Sequence, residues 1–333
     1  MTGDPELITG HGGQIDAMAK AFPDAPLPWI DLSTGINPFP YPLPSIAEKA
    51  WTRLPTAADR VACEAAMASA FGCDMSHCRA VAGTEVAIRQ LPTILGCRRV
   101  VLRHRSYADH ADSWHAAGAD VIAVEDPLYD QARGDAVVIV NPNNPDGKRW
   151  SIDRIEVTRS ALAQRGGWLI VDEAYGDLDP ANSMASFAGR DSLIVLRSFG
   201  KFFGLAGLRL GAVLAPSHML ARLGSMLGGW DVSGPALRIG AIAYADFEWQ
   251  NATRRKLLDA RKNMSLALAR AEVEELGGTD LFRFIRVQDA AGLWERLARN
   301  GIAVRKFGGD NQHLRIGIAA PDNLDRLAFA LSP

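Results

Sequence analysis

The stretch VLRSFGKFFGLAGLRLG, residues 195–211, decides how the rest of the chain can be interpreted. The apolar run at 193–196 is typical of a buried strand, and it ends in a polar turn that carries Lys201. A lysine amine that burial keeps uncharged is nucleophilic and can hold a carbonyl compound as a Schiff base. Ser198 and Arg209 lie on either side and could both hold a phosphate. The alternative is a surface lysine after a strand, and other stretches argue against it.

Two further predicted strands end in polar clusters. The run 136–140 is followed by Asn-Pro-Asn-Asn-Pro-Asp-Gly, and the run 167–171 by Asp-Glu-Ala-Tyr. Ligands bind at the carboxyl ends of strands in open α/β sheets. Asp172 could keep a pyridinium nitrogen protonated by charge pairing, while Asn144 and Tyr175 could donate hydrogen bonds to a ring oxygen.

Two signals upstream point to the same kind of ligand. Gly83, Thr84 and Glu85 open an amphipathic helix, whose free N–H groups and positive dipole end suit a phosphate. An ordinary capped helix is the alternative. Tyr107 could stack on a flat ring, or it could simply pack in the core.

Ser-x-x-Lys with Gly-Leu-Arg-x-Gly, Asn-Pro-x-Asn-Pro-x-Gly and Asp-Glu-x-Tyr resemble the motifs of pyridoxal-phosphate (PLP) enzymes of the aspartate aminotransferase superfamily, fold type I. The resemblance implies an α/β fold: a large domain with a mixed, mostly parallel seven-stranded sheet flanked by helices, and a small α+β C-terminal domain. We expect an N-terminal arm at 1–40, the large PLP-binding domain at 41–230 and the small domain at 231–333. It also implies pyridoxal 5'-phosphate as cofactor and a homodimer.

The implied site residues fall into two groups. Catalytic roles go to Lys201, Asp172 and Tyr107, with Lys201 as the Schiff-base lysine. Cofactor binding is assigned to Gly83, Thr84, Glu85, Tyr107, Asn144, Asp172, Tyr175, Ser198, Lys201 and Arg209.

Within the superfamily, His11-Gly12-Gly13 and the run Ser-Thr-Gly-Ile-Asn-Pro at 33–38 look like the threonine-phosphate decarboxylases of cobalamin synthesis. That resemblance implies a small phosphorylated amino acid as substrate. Its phosphate would be bound by His11, Gly12 and Arg305, and its amino-acid end by Gly35, Asn144 and Arg315. Histidinol-phosphate aminotransferases remain the alternative, and a PLP-fold regulator without catalysis is a third.

Two positions depart from those relatives. Leu54 stands where relatives often have a tyrosine that reaches the partner subunit's cofactor phosphate. Gly35 stands where some decarboxylases have asparagine. The first departure leaves the contact to the partner subunit open, and the second removes one hydrogen bond to the substrate.

The composition limits the function classes. The chain has 333 residues, 48% of them hydrophobic, which suffices for a large core. A net charge of −2 argues against a nucleic-acid partner. No apolar run is long enough to span a membrane, and the N-terminus has no signal-peptide segment. The four cysteines lack paired metal-ligand spacing, so we expect reduced thiols, a cytoplasmic protein and no metal.

The pattern also predicts particular helices. One runs from Ser45 to about residue 53, with Ser45 and Glu48 as a capping box, and another covers 57–71. A long helical region is expected from 236 to about 271.

Overall fold

The computed structural model describes residues 12–332, which form twelve β-strands and twelve α-helices. The strands are β1 (Ile30–Leu32), β2 (Cys78–Val81), β3 (Arg99–Arg103), β4 (Asp120–Val124), β5 (Ala136–Val140), β6 (Trp168–Glu173), β7 (Leu193–Ser198), β8 (Gly211–Leu214), β9 (Glu274–Thr279), β10 (Phe282–Arg286), β11 (Ile302–Lys306) and β12 (His313–Gly317). The helices are α1 (Ile15–Ala21), α2 (Lys49–Thr52), α3 (Ala57–Phe71), α4 (Thr84–Leu95), α5 (Ala108–Ala116), α6 (Ile152–Ala163), α7 (Phe199–Phe202), α8 (Ser217–Leu227), α9 (Gly234–Ala245), α10 (Phe247–Arg270), α11 (Ala290–Arg299) and α12 (Pro321–Leu331). In this range no helix is both long enough and apolar enough to cross a bilayer.

The chain divides into two compact units. The larger comprises Pro40–Asn144 and Lys148–Gln250, and the smaller comprises residues 12–39, the short piece Pro145–Gly147 and residues 251–332. We expected the second boundary near residue 230. The grouping instead keeps α9 in the larger unit, because α9 packs on α3: a Cβ at Gly240 would lie 3.0 Å from Cys63 Sγ, and the rings of Phe71 and Tyr244 are 5.1 Å apart.

The larger unit contains the predicted seven-stranded sheet, and its strand order is β2-β8-β7-β6-β5-β3-β4. Only β8 runs against the others. β5 is entirely buried and reads as the continuous run Ala-Val-Val-Ile-Val, which is typical of a parallel strand covered on both faces. Because the central strands are parallel, β5, β6 and β7 all end at the same edge of the sheet, and the polar clusters follow them there.

The smaller unit has a five-stranded sheet in the order β1-β11-β12-β10-β9. β1 joins it in parallel to β11, with Ile30 opposite Ile302, and the other pairs are antiparallel. An apolar core of its own covers this sheet, built from β1, β10, β11 and β12 together with side chains of α10, α11 and α12. The predicted α+β character of the C-terminal part is therefore present.

Three local predictions need correction. The chain from Tyr41 to Ala47 is not helical, and α2 begins only at Lys49 without a side-chain cap, so the predicted capping box of Ser45 and Glu48 is wrong. Pro42 and Pro44 favour an extended backbone just before it. A capping box does form at Thr56, whose hydroxyl accepts from the Asp59 amide while the Asp59 carboxylate accepts from the Thr56 amide. The long helical region is two helices, α9 and α10, separated at Asp246.

Candidate active site

Gly83 and Arg209 lie close together where α4 begins. Gly83, the residue before α4, adopts φ +80° and ψ 153°, a conformation that is almost exclusive to glycine. A Cβ there would lie 2.9 Å from Arg209 Nη2. The Arg209 guanidinium therefore lies beside the first N–H groups of α4, and its side chain is 58% exposed. A helix N-terminus of this length together with a guanidinium forms a strong anion site.

Glu85 and Gly211 complete the surroundings of this site. Glu85 Oε2 lies 3.6 Å from Arg209 Nη2, and Glu85 Oε1 accepts from Arg89 at 3.0 and 3.2 Å. A Cβ at Gly211 would come within 3.0 Å of the Thr84 backbone nitrogen. The glycine on β8 thus leaves the amide end of α4 uncovered by side chains from that strand.

Asp172, at the end of β6, is held by two hydrogen-bonding groups. Its Oδ2 lies 2.9 Å from His110 Nε2, and its Oδ1 accepts from the Ala174 amide at 3.0 Å. Both Asp172 and His110 are buried. Each carboxylate oxygen retains a second lone pair. A buried carboxylate fixed in this way can hold a proton on a basic ring nitrogen.

Tyr107 stands next to this pair, just before α5. Its ring meets the His110 ring edge-on at 6.1 Å, and its hydroxyl donates to Asp109 Oδ2 at 2.5 Å. Burial raises the pKa of Tyr107, and the Asp109 carboxylate raises it further. The phenol consequently stays protonated. The ring also packs against the apolar core of the larger unit, so the core-packing alternative describes part of its environment.

The remaining predicted cofactor residues follow the same strand ends. Ser198 is the last residue of β7 and Lys201 is the third residue of α7; both are half-buried. Tyr175 is buried two residues after β6, and Asn144 is half-buried in the loop after β5. The strand register pairs Asp172 with Leu196, and because side chains alternate along a strand, Asp172 and Ser198 share one face of the sheet.

A buried cluster of charged side chains lies on the other face of the sheet, at the ends of β6 and β7. Arg197 Nη1 donates to Glu173 Oε2 at 3.0 Å and to Ser183 Oγ at 2.9 Å, and Nη2 donates to Asp177. Burial raises the pKa of Glu173, and Arg197 partly offsets that rise. The register places Glu173 directly opposite Arg197 on β6 and β7. The cluster therefore ties together the two strands that carry Asp172 and Ser198.

Of the predicted substrate-binding residues, Gly12, Gly35, Arg305 and Arg315 belong to the smaller unit, whereas Asn144 belongs to the larger one. Arg305 on β11 lies directly opposite Arg315 on β12. Arg305 also lines a small open cleft, together with Gly12, Gln14, Met18, Ser33, Ala303 and Val304. Arg315 is buried and donates through Nη2 to the carbonyl oxygen of Ser33. Two guanidinium groups that leave one face of a sheet side by side form a site for an anion with two acidic groups.

Gly35 and His11 complete the predicted set. Gly35 adopts φ +62°, the left-handed conformation that asparagine tolerates better than most residues, so glycine and asparagine are conformationally interchangeable at this position. His11 lies outside the described residues.

Three residues at these sites are not identified by their sequence context. His110 gives no signal, since a histidine within a helix is not distinctive. Arg197 follows an apolar run, and its expected burial is the available signal. Asp31 and Ser33 have the spacing of a side-chain turn, which is the signal for Ser33.

This fold, with a lysine just after β7 and an aspartate at the end of β6, defines a class of enzyme. Residues 28–331 match the model of the family "Aminotransferase class I and II". The chain belongs to this family.

Particular relatives are more informative about activity. The chain is 39% identical to the threonine-phosphate decarboxylase of Pseudomonas aeruginosa, over 94% of this chain and 93% of the relative. It is 40% identical to the threonine-phosphate decarboxylase of a Sinorhizobium species, over 97% of each. A histidinol-phosphate aminotransferase of Citrifermentans bemidjiense is 27% identical over 91% of each chain.

Solved structures support the fold. Histidinol-phosphate aminotransferase from Sinorhizobium meliloti, in complex with pyridoxal-5'-phosphate, superposes with a TM-score of 0.82 at 19% identity, covering 98% of this chain and 95% of that one. L-threonine-O-3-phosphate decarboxylase from Porphyromonas gingivalis gives 0.75 at 19% identity, covering 91% and 98%.

Proposed function

We propose that this chain is a PLP-dependent decarboxylase that converts L-threonine O-3-phosphate into (R)-1-amino-2-propanol O-2-phosphate in cobalamin biosynthesis. The observation that carries this proposal is the identity of about 40%, over nearly the whole length, to two threonine-phosphate decarboxylases. The nearly full-length histidinol-phosphate aminotransferase match is much lower, at 27%.

The larger unit fits the cofactor. Gly83, Thr84, Ser198 and Arg209 would hold the cofactor phosphate, with Glu85 beside Arg209. Lys201 would supply the amine that holds the cofactor carbonyl carbon. Tyr107 would contact the ring, and Asn144 and Tyr175 would donate hydrogen bonds to its phenolate oxygen.

When bound, the cofactor supplies an electron-poor ring that accepts the electron pair left at Cα when the carboxylate departs as carbon dioxide. Asp172 would hold a proton at the ring nitrogen, and its contact with His110 fixes the position of that carboxylate. Lys201 would supply the proton that replaces the departed carboxylate at Cα. Charge pairing of a buried carboxylate with a ring cation is strong because little water competes for either group.

The smaller unit recognises the substrate. Arg315 pairs with the substrate carboxylate, and Arg305, His11 and Gly12 bind its phosphate. Gly35 and Asn144 border the amino-acid end. A phosphate carries about −1.5 to −2 charges at neutral pH and accepts several charge-assisted hydrogen bonds, so this group supplies most of the discrimination against unphosphorylated amino acids.

One preparation tests the function in two assays. With threonine phosphate, we expect release of carbon dioxide in step with loss of substrate. With histidinol phosphate and 2-oxoglutarate, we expect no glutamate. Glutamate formation without carbon dioxide release would instead establish the aminotransferase alternative.

We further propose a homodimer. Leu43 precedes α2, Trp51 lies within it and Leu54 follows it. Each of these residues is at least 63% exposed, and Trp230 is 65% exposed. Large apolar side chains grouped along one segment are typical of a protein interface. Sedimentation should give twice the mass of the chain, and a fully active monomer would refute the proposal. A cytoplasmic location remains a prediction from the cysteine content.

A further inference from the structure

Three segments of the smaller unit meet at Ser33, the residue after β1, which is only 5% exposed. The Gly13 amide donates to Ser33 Oγ at 2.8 Å. Arg315 donates to the Ser33 carbonyl oxygen. Ser33 also lines the cleft that contains Gly12 and Arg305. One residue therefore touches groups assigned to both ends of the substrate.

Asp31 fixes the direction of these hydrogen bonds. Its Oδ1 accepts from the Ser33 amide at 2.9 Å and from the Ser33 hydroxyl at 2.6 Å. A serine hydroxyl has one proton to donate and two lone pairs. Because the proton goes to Asp31, the lone pairs are available to the Gly13 amide, and the turn sets the orientation of the carbonyl that receives Arg315.

Gly12 lets its backbone approach the Ser33 carbonyl group closely. A Cβ at Gly12 would lie 2.4 Å from the Ser33 carbonyl oxygen and 2.8 Å from its carbon. Only glycine can bring the backbone this close. The position of residues 12 and 13 and the orientation of the Ser33 carbonyl therefore depend on each other.

We propose that Ser33, oriented by Asp31, is a positioning residue that couples the phosphate end of the substrate site to its carboxylate end. It holds the backbone of Gly12 and Gly13 at the phosphate cleft, and the same peptide aligns Arg315. Recognition of an amino acid that carries both a carboxylate and a phosphate follows from this coupling. The inference rests on the proposed function.

The test compares two ligands on the holoenzyme: threonine phosphate, by its KM for carbon dioxide release, and plain threonine, by its inhibition constant in the same assay. Ser33→Ala removes the acceptor of the Gly13 amide, so threonine phosphate should bind about two- to tenfold more weakly, the range for one hydrogen bond. Plain threonine should change less, so the preference for the phosphorylated ligand should fall. A general loss of structure would weaken both ligands equally.

Asp31 provides a second variant, because its side chain is exposed and its loss spares the core. Asp31→Ala should reproduce the reduced preference, whereas Asp31→Asn, which keeps the Oδ1 acceptor, should restore most of it. The matched control is Ser265→Ala, which removes a hydroxyl that donates to Glu275 at 2.8 Å in the same unit but does not line the cleft. We expect the control to bind both ligands like the parent.

The outcomes separate the two claims. If the parent binds threonine and threonine phosphate equally well, the proposed function fails, and this inference fails with it. If the parent prefers threonine phosphate and both Ser33→Ala and Asp31→Ala keep that preference, the inference alone is overturned.

Discussion

Gly83→Ala should weaken cofactor binding without preventing folding. The added Cβ would lie 2.9 Å from Arg209 Nη2 and 3.2 Å from its Cζ. Contacts this close force the guanidinium away from the first turn of α4. Loss of one hydrogen bond to a charged group costs about 1.5–3 kcal/mol, which raises the dissociation constant for pyridoxal phosphate roughly ten- to a hundredfold.

The backbone contributes a separate effect. Alanine at φ +80° and ψ 153° occupies a region that costs a non-glycine residue on the order of 1–3 kcal/mol. That cost lowers the free energy of unfolding whether or not the cofactor is present. The melting temperature of the apoprotein therefore reports the backbone strain. Titration of the apoprotein with the cofactor reports the loss of affinity that follows from displacing Arg209.

Gly207→Ala is the matched control. It lies two residues before Arg209, its backbone is not in the positive-φ region, and an added Cβ meets nothing within 4 Å. We expect its affinity for the cofactor to equal that of the parent. A folded Gly83→Ala protein that binds the cofactor as tightly as Gly207→Ala would refute the anion site of Gly83 and Arg209.

The purified protein should absorb as a Schiff base, and Lys201→Ala should lose the borohydride-reducible bond to the cofactor; mass spectrometry that finds the cofactor on another lysine would reject Lys201. Arg305→Ala should weaken threonine-phosphate binding by about 1.5–3 kcal/mol in calorimetry and leave cofactor affinity intact; an equal loss for plain threonine would contradict a phosphate contact. Arg197→Met should lower the free energy of unfolding by about 3–5 kcal/mol at neutral pH. The difference in unfolding free energy from the parent, measured in urea at each pH, should shrink as pH falls. The reason is that a buried glutamate with a raised pKa destabilises the fold only once deprotonated. A difference that does not change with pH would show that Glu173 stays neutral.

The strand ends could be predicted because a parallel sheet brings them to one edge. The apolar runs before Asn141, Asp172 and Ser198 identify β5, β6 and β7, and the polar residues after them had to lie together. The same logic fails for β9, whose sequence Glu-Glu-Leu-Gly-Gly-Thr has little strand propensity. Its glycines are used for backbone contact instead: a Cβ at Gly277 would lie 2.4 Å from the Asp146 carbonyl oxygen.

Long-range polar contacts were not predictable from a single sequence. His110 and Asp172 are 62 residues apart, and nothing local marks them as partners. The contacts of Ser33 with Arg315 span 282 residues. In contrast, Gly83 is predicted to open α4, and it adopts the positive φ that glycine allows.

The parallel pairing of β1 with β11 has a consequence for synthesis on the ribosome. Ile30 emerges early, but its partner Ile302 is made about 270 residues later. At roughly 5–20 residues per second, β1 waits on the order of 15–50 s before it can enter its sheet. All strands of the seven-stranded sheet are synthesised within that interval, so the larger unit can fold first. Until Ile302 is made, the apolar side chains of β1 remain a candidate binding site for chaperones.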